Sequence, residues 1–502
     1  MKKRFLLTVV LPLLVWSSLS AQTTETIAPG QLVSGEITAD DDTRTWSFDA
    51  LEYDVYSILV EGINEFDPIL QIRDAEGEVI ITNDDYRYPE TRDALLEAIT
   101  MPTDGTYDLV VSGYAGSVGE FTVSMLPGYS VMQPRVNLTS VDQWETTGDV
   151  TAEVIDNTLN LSITGVGLSG RHLNTNLSAF QDYFVEVVVE AITGEAGWEF
   201  GLVLQQDEAH YYSIEVDDNG LWGVSAVENG ERQLIRSWNQ HPAIIAGEPD
   251  FKLGALVTPQ GFDVFYNDRL IGQIRDDELT DAGQVGVTIA TTSALDSTVN
   301  AVIESLAITT PRETGDGTVF PTALIIGDTT QVIHELERRH VIPMGGQQSL
   351  DVDASFVERS FEGIDLFTLG GSTTYADLVM SATINLDLTD SGVIGCALIL
   401  QYIDNTNYML AFLDNFGGYG VSKRLGNAFN NAFYGEIPEL TSTTDNVILT
   451  VISGQTLHYF INGQHVGSTE ITPIIGQVGS AILNYDGVNA RCQFSDTWLW
   501  RW

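Results

Sequence analysis

The residues best suited to chemistry in this chain are carboxylates. Glu215-Val216-Asp217 sets two acids two positions apart on a strand-like run, so both point to one face. Two carboxyl groups about 5 Å apart are what cleavage of a glycosidic bond with retention requires, one as nucleophile and one as proton shuttle. The pattern then stops, because Asp218-Asn219-Gly220 turns the chain before a third acid of the right type arrives. A later stretch of similar sequence, Phe412-Leu413-Asp414, keeps only the last acid. Glu215 and Asp217 therefore read as an acidic solvent face ending in a turn. A Gly-x-Ser-x-Gly elbow, a His-Glu-x-x-His pair and a Cys-x-x-Cys pair are all absent. His334-Glu335 comes nearest to a zinc pattern, but Arg338 stands where the second histidine belongs and His340 lies too far along. That segment reads as charged surface. No catalytic residue is assigned and a non-enzymatic protein is expected.

Hard cations such as calcium take several carboxylate and carbonyl oxygens. Asp67, Asp84, Asp85 and Asp93 offer such a set, with Asn83-Asp84-Asp85 following a strand. The competing account is that Asx side chains there cap turns by bonding the local backbone. Calcium is the one cofactor to be weighed; no other is expected.

A sugar presents apolar ring faces and a rim of hydroxyls, so its site combines aromatic platforms with amide and charged hydrogen-bonders. Trp222 and Tyr419 occupy matching places in two similar stretches. The variable loops expected after them carry Arg236, Trp238, Asn239, Gln240 and His241 in one case, and Asn427, Asn430, Asn431, Phe433 and Tyr434 in the other. Trp222, Trp238, His241, Tyr419, Asn431, Phe433 and Tyr434 are the candidate ligand residues. The competing account places Trp222 and Tyr419 in the core, packed on a sheet face.

The elements that must hold these residues come in duplicate. Asp217 to Val224 returns as Asp414 to Val421, and Leu202-Val203-Leu204-Gln205 returns as Leu398-Ile399-Leu400-Gln401. Phe265-Tyr266-Asn267 with Gly272 returns as Phe460-Ile461-Asn462 with Gly467. Gly283-Gln284-Val285-Gly286 returns as Gly476-Gln477-Val478-Gly479. Short runs with period-two alternation, punctuated by Asn-Gly and Asn-Asp turns, predict strands and hairpins throughout. The fold expected is all-β with three β-sandwiches, a small jelly-roll-like one followed by two related ones. The segments are 25–126, a linker at 127–140, a first copy at 141–309, a linker at 310–322 and a second copy at 323–502. Cys396 and Cys492 are compatible with one disulfide in an oxidising compartment. The first copy lacks the pair, so the fold does not depend on it. Trp498, Trp500 and Trp502 share one strand face and are expected to pack on a sheet or a neighbouring domain.

The first segment carries Asp42 with Trp46-Ser47-Phe48, then Phe66-Asp67-Pro68, Asp74-Ala75-Glu76-Gly77, Asn83-Asp84-Asp85, Asp104-Gly105-Thr106-Tyr107 and Gly119-Glu120-Phe121. It resembles the bacterial pre-peptidase C-terminal (PPC) domain, a β-sandwich appended to many secreted proteins. The two copies resemble concanavalin A-like lectin/glucanase sandwiches, laminin-G-like modules in particular. Fold alone does not give function.

Lys2-Lys3-Arg4, the apolar run Phe5 to Trp16 and the small residues Ser17 to Ala21 read as a signal peptide spanning 1–21, so secretion or display at the cell surface is expected. The chain holds 70 acidic against 22 basic residues, a net charge of −48. Such a field repels nucleic acid and anionic lipid, which excludes both as partners, and no membrane insertion is expected. The reading from sequence is an exported binding protein for extracellular polysaccharide or cell-surface glycan. The rival is an adhesion protein that binds protein partners, and a glycan hydrolase stands third.

Overall fold

The computed structural model describes residues 25–86, 91–133, 144–174, 182–194, 197–205, 209–258, 261–276, 283–292, 296–312, 329–339, 341–388, 391–426, 428–437, 440, 445–472 and 474–502. The residues read as a signal peptide, half of the first linker, most of the second, His340 and Asn427 lie outside that set. The described chain is almost entirely strand, with one α-helix, α1 (Thr329–Arg338).

Alternation decides the N-terminal sandwich. In Thr43–Ala50 the even residues Trp46, Phe48 and Ala50 turn inward, and in Pro68–Arg73 so do Pro68, Leu70 and Ile72. A five-stranded and a four-stranded sheet close over these residues, with Trp46 edge-on to Phe121 at 6.0 Å.

The duplication is explicit in the topology. Each copy has a frame of twelve strands, from Thr158–Gly165 to Ser297–Thr310 in the first and from Gln347–Arg359 to Ala490–Arg501 in the second. Counted in chain order within the copy, one sheet runs 1-12-3-8-9-10 and the other 2-11-4-5-6-7, and the order is the same in both copies. The first copy adds edge strands, among them Trp144–Gly148 and Val150–Ile155. Each copy has its own core between its two sheets. Cys396 and Cys492, on opposite sheets of the second copy, are bonded, with their Cα atoms 5.6 Å apart.

The predicted hairpins form. Asn267-Asp268 and Asn462-Gly463 all have positive φ, as a two-residue primed turn demands. The repeated glycines before the eleventh strand also have a steric reason. A Cβ on Gly272 would stand 2.3 Å from the Trp222 ring, and one on Gly467 would stand 3.0 Å from the Phe433 ring. Both copies thus leave a gap in the facing sheet into which an aromatic ring packs.

Two expectations change. The segments after Trp222 and Tyr419, read as variable loops, are edge strands, Glu231–Gln240 and Ala428–Glu436. They lack inward apolar alternation because much of each strand is exposed, which is why the sequence looks loop-like. The segment around His334-Glu335 is α1, not a charged surface. Val332, Ile333 and Leu336 seat it on Val379, Leu449, Val451, Phe460 and Trp498, with Trp500 and Trp502 alongside. The terminal tryptophans are therefore covered by a helix.

The units are pinned together at Ala94–Thr100, an edge strand of the N-terminal sandwich. Glu97 accepts hydrogen bonds from Ser130 Oγ and from Arg312 N, the two points where chain enters and leaves the first copy. Arg339, paired with buried Glu335, donates to the carbonyls of Glu97 and Ala98. One outer sheet face in each copy is thereby used up. In the first copy Phe184, Leu256 and Phe265 pack against Val55, Ala98 and Tyr129, and in the second the face lies under α1.

Candidate functional site

The remaining outer face of the first copy belongs to the sheet 2-11-4-5-6-7. Its core-side residues are Phe200, Leu202, Ile214, Val216, Trp222, Val224, Val287 and Ile289. Period-two geometry then sends Arg171, Glu199, Gly201, Tyr211, Ser213, Glu215, Gly223, Ser225, Gly286 and Thr288 outward. Register lines them up across strands: Arg171, Thr288, Gly201, Glu215 and Gly223 form one transverse row. Glu199 stands directly opposite Asp217 in the next row. Glycines and small residues floor the centre, and charged and aromatic side chains rise around them.

Each rim residue has a definite hold. Trp238 lies over Gly223, its ring 3.2 Å from the place of a Cβ. The Arg171 guanidinium lies 4.1 Å above the Tyr211 ring centroid. Arg232 donates to Ser225 Oγ at 2.8 Å and forms a short ion pair with Glu215. Glu215 is only 7% exposed, so it is a buried, paired carboxylate rather than the solvated acid expected from sequence. Burial pushes its carboxyl above the ordinary range while Arg232 opposes the shift. Half-buried Glu199 is pushed up to about 7, first by burial and then by the charge on Glu215. At neutral pH the face therefore holds one carboxyl near half-protonation beside one carboxylate locked to a guanidinium.

Asp217 does something else. Its Oδ1 accepts from Asn219 N at 3.0 Å and Leu221 N at 2.7 Å, anchoring the hairpin. Asp414 repeats this with Phe416 N at 2.9 Å and Gly418 N at 2.8 Å. The one acid common to both copies is a turn anchor.

The candidate residues separate by burial and by hydrogen bonding. Trp222 is fully buried, with Arg236 stacked over its ring at 4.1 Å, so it is a core residue and not a ligand platform. His241 sits beyond the end of the Trp238 strand, and its Nδ1 accepts from Ala243 N at 3.2 Å, closing a local turn. In the second copy Tyr419 and Phe433 are partly buried and pack on the core beside Tyr459. Tyr434 and Asn431 are exposed on the outer edge strand. The face they border is apolar: Leu366, Ala481, Ala397, Phe412, Gly420 and Tyr434 form the row that matches Arg171 through Trp238. Phe412 replaces Glu215, and Leu410 replaces Ser213. Two copies of one scaffold thus display opposite chemistries.

Sequence reasoning missed Arg171, Glu199, Tyr211 and Arg232. For Glu199 and Tyr211 the available signal was parity: they stand at odd positions on strands whose even positions are largely apolar. What the sequence did not contain was the register that brings four separate strands to one patch.

The four aspartates of the N-terminal sandwich do gather. Burial, then the charges of Asp84 and Asp67, push Asp85 up to about 6. Asp93 accepts from Gly62 N and Thr91 Oγ1, Asp84 from Asp85 N and Gln464 Nε2, and Asp67 pairs with Arg92 at 3.3 Å, while the buried Oδ1 atoms of Asp67 and Asp85 have no protein partner. Among the described residues no group of three or more His, Cys, Asp or Glu side chains could hold a metal ion. Asp67, Asp84 and Asp93 act as turn and interface anchors, and no calcium site is assigned to the four acids. Also among the described residues, no helix is long and apolar enough to cross a membrane.

Comparison with known proteins identifies the first segment. Residues 42–113 match the family model of the bacterial pre-peptidase C-terminal domain. No curated protein matches the sequence. Among solved structures, the carbohydrate-binding module CBM66 from Bacillus subtilis is 18% identical over 34% of this chain and 96% of its own, with a TM-score of 0.28. Sheep galectin-11 is 15% identical over 26% of this chain and 93% of its own, with a TM-score of 0.22. The pre-peptidase C-terminal domain of a collagenase from Bacillus anthracis is 13% identical over 20% of this chain and 93% of its own, with a TM-score of 0.18. Likenesses at these TM-scores carry no argument about function. The site has to carry it.

Proposed function

We propose that this chain is an exported, non-catalytic glycan-binding protein. It consists of a PPC-like sandwich (25–126) and two concanavalin A-like sandwiches (141–309 and 323–502), joined by linkers at 127–140 and 310–322. The observation that carries the reading is the Trp238–Glu215–Arg232 arrangement on the open face of the first copy. An indole at the rim can stack on a sugar ring, and a fixed carboxylate–guanidinium pair beside it can take up vicinal hydroxyls as both acceptor and donor. Arg171, Ser213 and Glu199 extend the polar floor. The opposite face of this sandwich is occupied by its neighbour, which leaves this sheet for the ligand.

The apolar face of the second copy, edged by Tyr434 and Asn431, is a different surface and would add contacts to the same polymer at high effective concentration. The expected ligand is an extracellular polysaccharide or surface glycan. Nucleic acid is disfavoured by the charge. The test is a polysaccharide pull-down and glycan array with the full chain and with W238A and Y434A. Binding that W238A abolishes supports the reading. Absence of binding to every glycan, with self-association instead, favours the adhesion alternative.

One observation favours a second reading, hydrolysis. Glu199, held near half-protonation beside an ionised carboxylate, has the state a general acid needs. Against it, Glu215 is committed to Arg232 and Asp217 to the turn, which leaves no nucleophile or base. Release of reducing ends from a bound glycan, lost in E199Q, would establish the enzyme.

A further inference from the structure

A cavity of about 610 Å³ lies between the N-terminal sandwich and the first copy. That size is in the range of small-molecule sites, which favour domain junctions. Phe184, Phe265, Met132 and Pro127 give it apolar walls. Asp54 reaches it from the N-terminal sandwich, and Glu186, Lys252 and Asp268 from the first copy. We propose that this cavity is a binding site for a small organic cation, an ammonium group carried on a compact apolar body.

Three observations carry the proposal. Asp54 is 4% exposed, and both hydrogen bonds to its carboxylate, from Leu51 N and Tyr56 Oη at 2.7 Å each, fall on Oδ2. Its Oδ1 is left as an acceptor on a residue that lines the cavity. Lys252, one of two lysines beyond the leader, is held by Asp268 at 2.9 Å and neutralises that one acid. Glu186 lines the cavity with the same Asp268, whose charge opposes its ionisation. An ammonium entering beside these acids favours their charged forms, so it opposes the protonation that burial promotes. The cavity thus offers both carboxylate acceptors and hydrocarbon walls.

Proton linkage follows. Burial, then the charge on Asp268, pushes Glu186 up to about 7, and burial pushes Asp54 up to about 6. The charged groups facing Glu186 are Asp268 and Lys252 on its own copy and Asp54 across the junction, with Arg269 close to Asp54. Cation binding must expel the Glu186 proton below neutrality and needs no such release above it.

Isothermal titration of the full chain with benzylamine, at about pH 6 and about pH 8, tests this, with benzyl alcohol as the uncharged control. Benzylamine is expected to saturate one site, more tightly at the higher pH. At the lower pH its heat should vary with the ionisation enthalpy of the buffer, because a proton is released. D54N should weaken binding by about tenfold or more, the loss of one charge-assisted contact. E186Q, which keeps the shape of the cavity, should remove the pH dependence, and it decides the matter if D54N does not fold. Equal binding of benzyl alcohol, no saturation by benzylamine, or an unchanged pH dependence in E186Q overturns the proposal. Glycan binding on the far sheet is read separately and is unaffected by either result.

Discussion

The indole of Trp238 rests on Gly223, 3.2 Å from the place where any other residue would carry a Cβ. An edge-strand aromatic is thus laid across its neighbour strand at the rim of the polar face. W238A should lower glycan affinity by about tenfold, because one good aromatic contact is worth roughly 1.4 kcal/mol. G223V should do the same without touching the indole, by lifting it from its seat. Titration calorimetry on both variants checks this, and G223V binding like the unaltered protein would show that the seat does not matter.

Arg232 should matter for both folding and binding. R232A leaves the buried Glu215 carboxylate without its partner. Since the arginine is about half exposed, the destabilisation should be only about 1–2 kcal/mol. The double variant E215Q/R232A should regain most of that stability in urea denaturation, yet still fail to bind glycan. Recovery of binding in the double variant would remove the pair from the site.

Stability should fall as pH rises from about 4.5 to about 7. Glu199 is raised in the folded state to about 7 from an ordinary 4.5, so the folded chain binds more protons than the unfolded one across that window. Its favourable contribution is complete below 4.5 and is lost as the carboxyl ionises through 7. Glu186 and Asp54 are raised for the same reason and act in the same direction. E199Q should flatten part of this slope and be relatively more stable above neutrality, as read from denaturation midpoints across the range. A midpoint that rises with pH in the unaltered protein but not in E199Q would contradict the assignment.

The disulfide closes a loop across the second sandwich, Cys396 and Cys492 lying 96 positions apart in sequence. Chain-entropy reasoning assigns a loop of that length roughly 4–5 kcal/mol. Reductant, or the pair C396A/C492A, should lower the melting temperature of the second copy while leaving the first unchanged. Calorimetry that separates two transitions would show it, and a uniform shift of both would count against independent cores.

Arg339 should behave as a keystone. It is buried against Glu335 at 2.9 Å and donates to two carbonyls of the N-terminal sandwich. R339A strands a buried carboxylate and should cost about 3–5 kcal/mol at that junction. Limited proteolysis should then cut between the first and second copies much faster than in the unaltered chain.

Much of this architecture was legible in the chain. Inward residues such as Trp46, Phe48, Leu202 and Leu398 follow period two, and the turns at Asn267-Asp268 and Asn462-Gly463 carry the residues that positive φ requires. The repeat was visible because scaffold positions, Asp217 with Asp414 and Gly272 with Gly467, answer to steric and hydrogen-bond demands that both copies share. Helix α1 escaped notice because it is short and mixes Glu335 and Arg338 into its apolar pattern, and a ten-residue helix depends on tertiary packing for its stability. Trp222, Tyr419 and Phe433 were open to two readings. An aromatic on a strand serves core and surface equally well until the opposite sheet is in place.

What the sequence determined by itself was local: strand periodicity, turn chemistry, duplication and acidity. Each depends on neighbours within a few residues or on composition. The site was decided by tertiary structure alone. Arg171, Glu199, Glu215 and Arg232 meet because four strands of one six-strand run are held in a common register, and a one-residue slip would turn such side chains to the other face. The same physics makes the first copy polar and the second apolar on one scaffold. Backbone pairing fixes where an outward side chain stands but is indifferent to which side chain it is.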